Sequence, residues 1–588
     1  MIKHYCLSVF LKIKHFSSLT FLLSGMSILA FFSCDNAKAN SNKNEDAVFT
    51  YREVYLPEGI GQNAKAYGLN SLDDDWGIWG HNIGLMVPEK HSQNIYAKVN
   101  GNVKKKQFCF SSNTLYGYIE DYISGKYDDD AGVRFSIIPN DNDIVCICEK
   151  CVAVGNTSKD ASPAVTKLVR RLAERFPGHY FFTSDYKTTQ KIPTDSMPPN
   201  AGVLVSAINF PLTPVSSREE EKFINRLKAW NATTPRILVW DYINNFDDYF
   251  TPFPVLGAMQ RRLKDYRDNK VTAVFLNGSG SEISAMSHLR TEVLAALTVN
   301  PDIDWKELLF NKAVELYPVT GELIAHYMIE QEENVEQNGV VLPLYEGVAV
   351  ASKTYLPADH FIKFHESLKA LRNQTQGKEK EEVERLLNEL ALTRLELNRI
   401  SGDLSDSEEY LNELKNLDAS GYPAYNEAGW SISDYIKDYN YLLNHNKNTK
   451  GNKLQGARLL ALTPMDPDYS DLSILTDGVL GIPSNYHSGN LIMSPDRFSQ
   501  ISVPNKGDYK KLAVWLSYNP AYRLFLPEVV TLTVDGRKIK EVNPEYPKDL
   551  SGHSKLEFDI PAGAGSIVLT FFRDPERHSM AIEEIEAF

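Results

Sequence analysis

The sequence predicts an α/β protein built on a (β/α)8 barrel, followed by a helical region and a C-terminal antiparallel β-sandwich. Two observations predict the barrel, residues 48–303: short β-rich runs alternate with helical patterns over about 250 residues, as in parallel barrels, and several runs are almost continuous in Val, Ile, Leu and Phe, as when both faces are covered. A doubly wound open sheet is the structural alternative. No glycine fingerprint or phosphate loop indicates a nucleotide site.

Eight runs make up the predicted barrel, each bounded by turn-forming or helical sequence. They are Val48–Tyr55, Trp76–Val87, Gln107–Phe110, Val133–Ile138, Tyr180–Phe182, Gly202–Ile208, Arg236–Trp240 and Val271–Leu276. Helical patterns lie between most of them; Ser162–Phe176, for example, has apolar residues at helical spacing and ends before Pro177-Gly178, a stop signal.

Two further regions follow the predicted barrel. Residues 304–443 are helical in pattern, and the charged, leucine-rich segment Glu379–Glu396 is typical of a bundle helix with one solvated face. A polar linker at 444–452 precedes short β-runs over 453–588, where Val534-Asp535-Gly536 is a hairpin signal. This pattern predicts a carbohydrate-binding-like β-sandwich, which on exported proteins either binds carbohydrate or braces its neighbour.

The N-terminus is typical of an export signal. Lysines precede an apolar run that ends at Ser33-Cys34, which predicts a bacterial lipoprotein signal over 1–34, lipidation of Cys34 and a disordered tether over 35–47. Ordinary signal cleavage after Ala37-Lys38-Ala39 is the alternative. We therefore expect an outer-membrane lipoprotein of the cell envelope, periplasmic or surface-facing, whose membrane contact is only its N-terminal lipid anchor.

Composition limits the partners. The 588-residue chain has a net charge of −14 at pH 7 and no basic stripe, which argues against nucleic acid as its main partner. Aromatic residues make up 11% of the chain; they stack well on sugar rings, but packing in the core is their commoner use.

Almost every run of the predicted barrel ends in a polar, often acidic, residue. Glycosidic cleavage needs two carboxyl groups, one protonated and one ionised, and the predicted catalytic residues are Asp141 with Asp241 or Glu282 as the second. Each also has a structural explanation, since Asp141 lies in a turn-forming Pro-Asn-Asp-Asn-Asp segment and Glu282 is placed to favour the first turn of a helix. No catalytic cofactor is expected.

Carboxylates, amides, aromatic rings and an arginine around one cleft suit a sugar. The predicted substrate contacts are Arg52, Glu53, Trp79, His81, Asn82, Asn140, Asp185, Tyr186, Tyr242 and Asn277. The structural alternatives are an Arg52–Glu53 ion pair, a loop histidine at His81 and packing roles for the two aromatic residues Trp79 and Tyr242.

A cysteine array follows the fourth run. Cys146, Cys148 and Cys151 form a C-x-C-x-x-C pattern, and Cys109 lies at the preceding run. Four thiolates close in space can bind one tetrahedral structural zinc ion, whereas the oxidising compartment favours disulfides. The sequence leaves both open; a catalytic dithiol lacks the thioredoxin-like context it needs.

Several segments resemble, in order, a family known as domain of unknown function 4838. They are Phe49–Tyr55, Trp76–Asn82, Gln107–Ser112, Pro139–Asp141 with the cysteine array, and Val239–Phe246 with Pro252–Pro254. The resemblance implies an exported protein with a glycoside-hydrolase-like barrel, distantly similar to hexosaminidase and α-glucuronidase barrels. Relatives tend to have an acid after the phenylalanine of the eighth run, where this chain has Phe275-Leu276-Asn277-Gly278. The family's pattern therefore also allows a degenerate, binding-only barrel, unless Glu282 replaces that acid.

The leading hypothesis from the sequence is a glycan-processing protein, a glycoside hydrolase if active. A non-catalytic surface glycan-binding lipoprotein is the second hypothesis, and a structural scaffold is the third.

Overall fold

The computed structural model describes residues 47–448, 451–494, 496–505, 507, 509–547, 552–574 and 580–588. The predicted signal over 1–34, its lipidated Cys34 and residues 35–46 of the predicted tether lie outside the described residues. Within the described ranges, no helix is long and apolar enough to span a bilayer.

Nine strands form the N-terminal half. They are β1 (Tyr51–Tyr55), β2 (Trp76–Ile78), β3 (Tyr96–Val99), β4 (Asn102–Phe108), β5 (Arg134–Ser136), β6 (Tyr180–Asp185), β7 (Ala201–Ser206), β8 (Ile237–Tyr242) and β9 (Ala273–Asn277). Seven of them make one parallel sheet in the order β1-β9-β8-β7-β6-β5-β2.

This sheet curls around a cluster of inward-facing side chains that six of its strands contribute. The buried members of the cluster on these strands are Tyr51, Trp76, Phe182, Leu204, Leu238, Ala273 and Phe275. The edge strands β1 and β2 are not hydrogen-bonded to each other in the described structure. The backbone N–H of Asn70 instead donates to the carbonyl of Arg52 on β1 at 2.8 Å, so the segment before β2 covers the β1 edge. The sheet is therefore a curled, incompletely closed barrel.

The prediction of eight barrel strands is not confirmed, because the third run does not join the sheet. The predicted run Gln107–Phe110 begins within β4, which pairs antiparallel with β3 in a separate hairpin, while β2 pairs directly with β5. The first five residues of β4, Asn102–Lys106, are all exposed. A strand this polar and charged does not suit a barrel position, where both faces are buried.

Fifteen α-helices accompany the strands in the described ranges, and those after β4 cover the outside of the sheet or form the region that follows it. They are α1 (Gly61–Ala64), α2 (Leu72–Asp75), α3 (Asn113–Lys126), α4 (Glu149–Ala153), α5 (Ser162–Arg175), α6 (Arg218–Asn231), α7 (Leu256–Asp268), α8 (Ser287–Val299), α9 (Trp305–Leu316), α10 (Gly321–Asn338), α11 (Val348–Ala351), α12 (Ala358–Leu371), α13 (Gly377–Ser401), α14 (Ser407–Ala419) and α15 (Ile432–Asn448). The longest, α13, has 25 residues and packs against α14 and α12.

The C-terminal part consists of two antiparallel sheets around one shared core. Their strands are β10 (Leu460–Ala461), β11 (Ile492–Ser494), β12 (Phe498–Val503), β13 (Lys511–Tyr518), β14 (Val529–Val534), β15 (Arg537–Val542), β16 (Gly552–Asp559), β17 (Ile567–Phe572) and β18 (Met580–Ala587). The sheet orders are β10-β12-β17-β14-β15 and β11-β18-β13-β16.

One hydrophobic cluster joins all three regions. It contains Phe250 from the loop after β8, Ile283 from the loop after β9, Tyr435 from α15 and Trp515 from β13. The loops at the carboxyl ends of β8 and β9 are therefore packed against the helical region, which in turn packs against the sandwich. That end of the parallel sheet is where ligands bind in α/β barrels.

Candidate active site at the mouth of the curled sheet

Asp141 lies at the mouth, in the loop that follows β5. Its Oδ1 accepts a hydrogen bond from Nζ of Lys187, at 2.5 Å, from the segment that follows β6. The two side chains are 15% and 25% exposed, so this ion pair is partly accessible. Asp141 and Lys187 line a small, shallow depression that is open to solvent.

His81 and Tyr186 line the same depression. Nδ1 of His81 donates to the carbonyl of Pro139 at 2.5 Å; because a carbonyl only accepts, this contact places the proton on Nδ1 and leaves Nε2 as an acceptor when the ring is neutral. Burial lowers the pKa of His81, although Pro139 and Asp141 oppose that effect. The rings of His81 and Tyr186 are 5.9 Å apart. The structure thus brings together the predicted residues Asp141, His81 and Tyr186.

Lys187 was not predicted from the sequence. Burial lowers the pKa of its ammonium group, but the hydrogen bond to Asp141 and the nearby Tyr186 raise it by more. Its φ is 45°, a left-handed conformation that is uncommon in residues other than glycine and that clusters at functional sites. A lysine directly after the polar end of β6 is the only sequence signal that could have indicated it.

Four aromatic side chains form the floor of the mouth, here called the mouth aromatic cluster: Tyr55, Trp79, Trp240 and Phe275. The Trp79 ring lies 6.4 Å from Tyr55 and 6.1 Å from Trp240. Phe275 lies 5.4 Å from Tyr55 and 4.6 Å from Trp240. The indole nitrogen of Trp240 is buried and has no hydrogen-bond partner among the described residues. An unsatisfied donor is costly unless water or a ligand pairs with it.

Glu282 lies on the loop after β9. Gly280, two residues earlier, donates its N–H to the carbonyl of Tyr55 at 2.9 Å, which holds the loop on β1. Burial raises the pKa of Glu282, and its carboxylate has no hydrogen-bond or ion-pair partner among the described residues. Asn277, the last residue of β9, is half-buried. It lies two residues after Phe275 and therefore on the same, inward face of the strand.

Asp241, predicted as a possible second catalytic acid, does not lie with Asp141. Its Oδ1 accepts from Nη1 of Arg262 and its Oδ2 from the hydroxyl of Tyr266, both at 2.5 Å and both from α7. It is 1% exposed. Alternation along β8 explains this placement: Leu238 faces the barrel interior, so Asp241, an odd number of residues away, faces the helix layer. The carboxylate anchors α7 to the sheet.

Asp185, a predicted substrate contact, has the same structural role. Nη2 of Arg226, on α6, donates to its Oδ1 at 2.5 Å, and the indole N–H of Trp230 donates to its Oδ2 at 2.6 Å. Burial raises the pKa of Asp185, and Arg226 opposes the effect. Phe182 on β6 faces inward, so Asp185 faces outward. Side chains alternate between the two faces along β6 and β8. Applied to the sequence, this alternation would have predicted that Asp185 and Asp241 face the helices and not the mouth where Asp141 lies.

Arg52 and Glu53, predicted as substrate contacts, lie on opposite sides of β1 and contact neighbouring residues of the chain. Nη2 of Arg52 donates to the carbonyl of Gly68 at 2.5 Å. Glu53 is 1% exposed and accepts from the hydroxyl of Tyr51 at 2.5 Å and the N–H of Leu72 at 3.1 Å. Burial raises the pKa of Glu53 to about 8. Both residues therefore hold the segment between the edge strands β1 and β2, which is called the seam below.

The other predicted contacts have mixed surroundings. Asn82 is exposed, and its amide donates to the carbonyl of Trp79 at 2.8 Å. Asn140 is held in its loop, since its side chain donates to the carbonyl of Lys106 at 3.0 Å. Tyr242 is half-buried and lies on the inward face of β8. Its hydroxyl oxygen is 3.3 Å from the hydroxyl oxygen of Ser206.

Asp247, in the loop after β8, was not singled out from the sequence. Burial raises its pKa to about 8, with further contributions from the acidic neighbours Glu427, Asp248 and Glu346. Its carboxylate is 3.7 Å from His487, on the segment that leads into β11. Asp247, His487 and the acidic neighbours come together only because the helical region and the sandwich pack against this loop. No local pattern in the chain therefore indicates this set of residues.

The four described cysteines lie together beside the Asp141 loop. Cys109, Cys146, Cys148 and Cys151 are free thiols, and all their sulfur atoms lie within 4.8 Å of one another. Cys109 directly follows β4, and the other three lie between Asp141 and the end of α4. Of the two alternatives that the sequence left open, the disulfides are not formed among these four cysteines.

Comparison with protein families gives one match. Residues 37–328 match the family described as Domain of unknown function (DUF4838). This part of the chain belongs to that family. The DUF4838 region covers the curled sheet and ends within α10, and the sandwich lies beyond it.

Comparisons with individual proteins add little to the DUF4838 assignment. No curated protein matches the chain. Among solved structures, the chain is similar to a family GH115 4-O-methyl-α-glucuronidase with specificity for decorated arabinogalactans. The identity is 11% and the TM-score 0.34, over 83% of this chain and 68% of the other.

Proposed function

We propose that this DUF4838 protein is an exported glycan-processing protein, a glycoside hydrolase whose reaction takes place at the mouth of the curled sheet. The observation that carries the proposal is the accessible Asp141–Lys187 pair, which shares its depression with His81 and Tyr186. Proximity of a carboxylate, an imidazole and a phenol suits a polar substrate with several hydroxyl groups.

In this proposal Asp141 and Glu282 divide the chemistry. Glu282 is the general acid, because burial raises its pKa and so favours the protonated form that can protonate a leaving-group oxygen. Asp141, positioned by Lys187, is the ionised partner that acts as base or nucleophile. The mouth aromatic cluster provides an apolar surface for a sugar ring, and the unpaired Trp240 N–H provides a donor.

A glycan-binding protein without catalysis is the second candidate. It is favoured by the direct contact of Asp141 with Lys187, which occupies one carboxylate oxygen, and by the amide of Asn277 at the end of β9. In that case the same depression and aromatic cluster would bind a glycan and release it unchanged. The two candidates share a ligand class and differ only in turnover.

The decisive experiment screens the purified protein against a panel of polysaccharides and aryl glycosides, measuring both reducing-end release and binding. Asp141→Asn keeps the size of the side chain and removes its charge, so we expect hydrolysis to fall by at least about 100-fold with binding retained. Asp143→Asn is the matched control, since Asp143 is exposed two residues further along the same loop.

Three outcomes are distinguishable. Binding without turnover in the parent protein supports the second candidate and refutes the hydrolase. Neither binding nor turnover on any glycan refutes both candidates and leaves the scaffold hypothesis. If turnover survives Glu282→Gln but is lost in Asp247→Asn, the role of general acid belongs to Asp247.

A further inference from the structure

We propose that Cys109, Cys146, Cys148 and Cys151 bind one structural zinc ion, and that this ion holds the Asp141 loop against β4. The sequence left zinc and disulfides open, and the positions of the thiols favour zinc. The proposal goes beyond the function suggested above, because zinc content and loop stability can both be measured without any glycan.

The spacing of the sulfur atoms fits tetrahedral coordination. Zinc–thiolate bonds are about 2.3 Å long, which places the sulfurs of a tetrahedral site about 3.8 Å apart. Sγ of Cys109 is 3.7 Å from Sγ of both Cys148 and Cys151, and no pair among the four sulfurs is further apart than 4.8 Å. One ion at the centre of the cluster can therefore reach all four sulfurs.

The surroundings of the cluster indicate a closed, structural site. Cys109, Cys146 and Cys151 are 6%, 3% and 0% exposed, and only Cys148 is partly accessible. The backbone N–H of Lys98, on β3, donates to Sγ of Cys146 at 3.2 Å; hydrogen bonds of this kind to a ligand sulfur orient it and offset its negative charge. Four thiolates leave no open coordination position for a substrate.

The location of the cluster explains what the ion would stabilise. The β3–β4 hairpin has no strand pairing with the parallel sheet, so other interactions must attach it. One attachment is Gln107, whose side-chain amide donates to the carbonyl of Asn140 at 3.0 Å and whose Oε1 accepts from the Asn140 N–H at 3.1 Å. Cys109, two residues further along, would provide a further attachment, through zinc to Cys146, Cys148 and Cys151.

Both attachments act on the segment from Asn140 to Cys151, which includes Asp141. Gln107 also donates to Oδ1 of Asn142 at 3.2 Å, so its contacts fix Asn140 and Asn142, on the two sides of Asp141. A zinc ion would fix the backbone from Cys146 onward, in the same segment that carries the Asp141 carboxylate. Binding releases the thiol protons, Zn²⁺ plus four thiols giving a tetrathiolate complex and four protons, so no oxidant or reductant is needed.

The first test is metal analysis of the full chain, purified without chelator, by inductively coupled plasma mass spectrometry, with a parallel count of free thiols after denaturation. We expect about one zinc per chain and all four thiols reduced once zinc is removed. Two disulfides with no zinc, or iron in place of zinc, would overturn the proposal.

The second test uses variants and a local readout. Cys109→Ser and Cys151→Ser should each reduce zinc content by at least about tenfold, whereas Val152→Ser should not, since Val152 is an exposed neighbour of the ligands on α4. Where a cysteine variant fails to fold, the parent protein treated with a chelator and then with zinc chloride replaces it.

Hydrogen–deuterium exchange then locates the effect. Removing zinc should increase exchange in residues 102–112 and 139–151 and restore protection when zinc is added back, while β13 in the sandwich stays unchanged as the internal control. If zinc is present but its removal leaves 139–151 unchanged, the proposed hold on the Asp141 loop is wrong.

Discussion

Two aspartates at the carboxyl ends of strands in the same sheet have opposite environments. Asp241, at the end of β8, is 1% exposed and both its oxygens are bound by residues of α7. Asp141, beyond the end of β5, is 15% exposed and is held by one lysine from a neighbouring loop. The same residue type is thus an internal anchor on one side of the sheet and an accessible group on the other.

The difference follows from the strands on the two sides. β6 to β9 are five or six residues long and are covered by amphipathic helices, so an outward-facing acid at their ends meets an arginine of the next helix. β2 and β5 have three residues each, and the adjoining hairpin stands outside the sheet. The loops there are long and polar, and they are held by side-chain hydrogen bonds such as those of Gln107 instead of strand pairing. The half of the sheet formed by β6 to β9 stabilises the fold, and the half with the short strands β2 and β5 carries the candidate chemistry.

The largest expected effect is a loss of stability when the buried Asp241–Arg262 ion pair is removed. Arg262→Met removes the cation that Asp241 faces and leaves a buried charge unpaired, which costs about 3–5 kcal/mol, so the free energy of unfolding should fall by that amount in denaturant titrations. Lys264→Met, a more exposed neighbour on α7, is the control and should change it by less than about 1 kcal/mol. An equal effect of both variants would contradict the anchor role.

The next effect concerns the seam where the two halves meet, at Glu53. Its folded pKa is about 8, above the usual value near 4.3, so the folded state retains a proton that the unfolded state loses. Its contribution to stability is present at low pH and is lost as pH rises from about 4 to about 8, by at most about 1.4 kcal/mol per pH unit.

Glu53→Gln should therefore gain stability relative to the parent protein as pH rises across that window, as measured by thermal unfolding at several pH values. Glu89→Gln, on an exposed segment, should follow the parent at every pH. A constant difference between Glu53→Gln and the parent would show that Glu53 titrates normally.

The smallest effect on stability is expected on the accessible side. Lys187→Met removes a partly exposed ion pair, which is worth about 0–1 kcal/mol, but it releases Asp141 from its position. We expect stability to be nearly unchanged and glycan turnover or affinity to fall by about tenfold. A large loss of stability would make Lys187 an anchor like Arg262 and would remove the contrast between the two sides.

Much of the architecture could be predicted because it depends on local patterns. Continuous apolar runs followed by amphipathic segments indicate parallel strands and helices, and the structure has seven such strands. Gln107–Phe110 was assigned to the barrel because its last residues are apolar, but the lysines before it keep β4 at the surface. The candidate site was predicted in part: Asp141, His81 and Tyr186 do meet, because the carboxyl ends of parallel strands share one edge.

What the sequence by itself determined is which residues follow which strands, since that order is covalent. Only the tertiary structure decided which strand-end acids are anchors, because the identity of the facing arginine depends on how α6 and α7 pack. It alone brought Lys187 to Asp141 and gathered four sulfurs separated by up to 42 residues in the chain. Such contacts depend on distances in space, and no local periodicity in the chain encodes them.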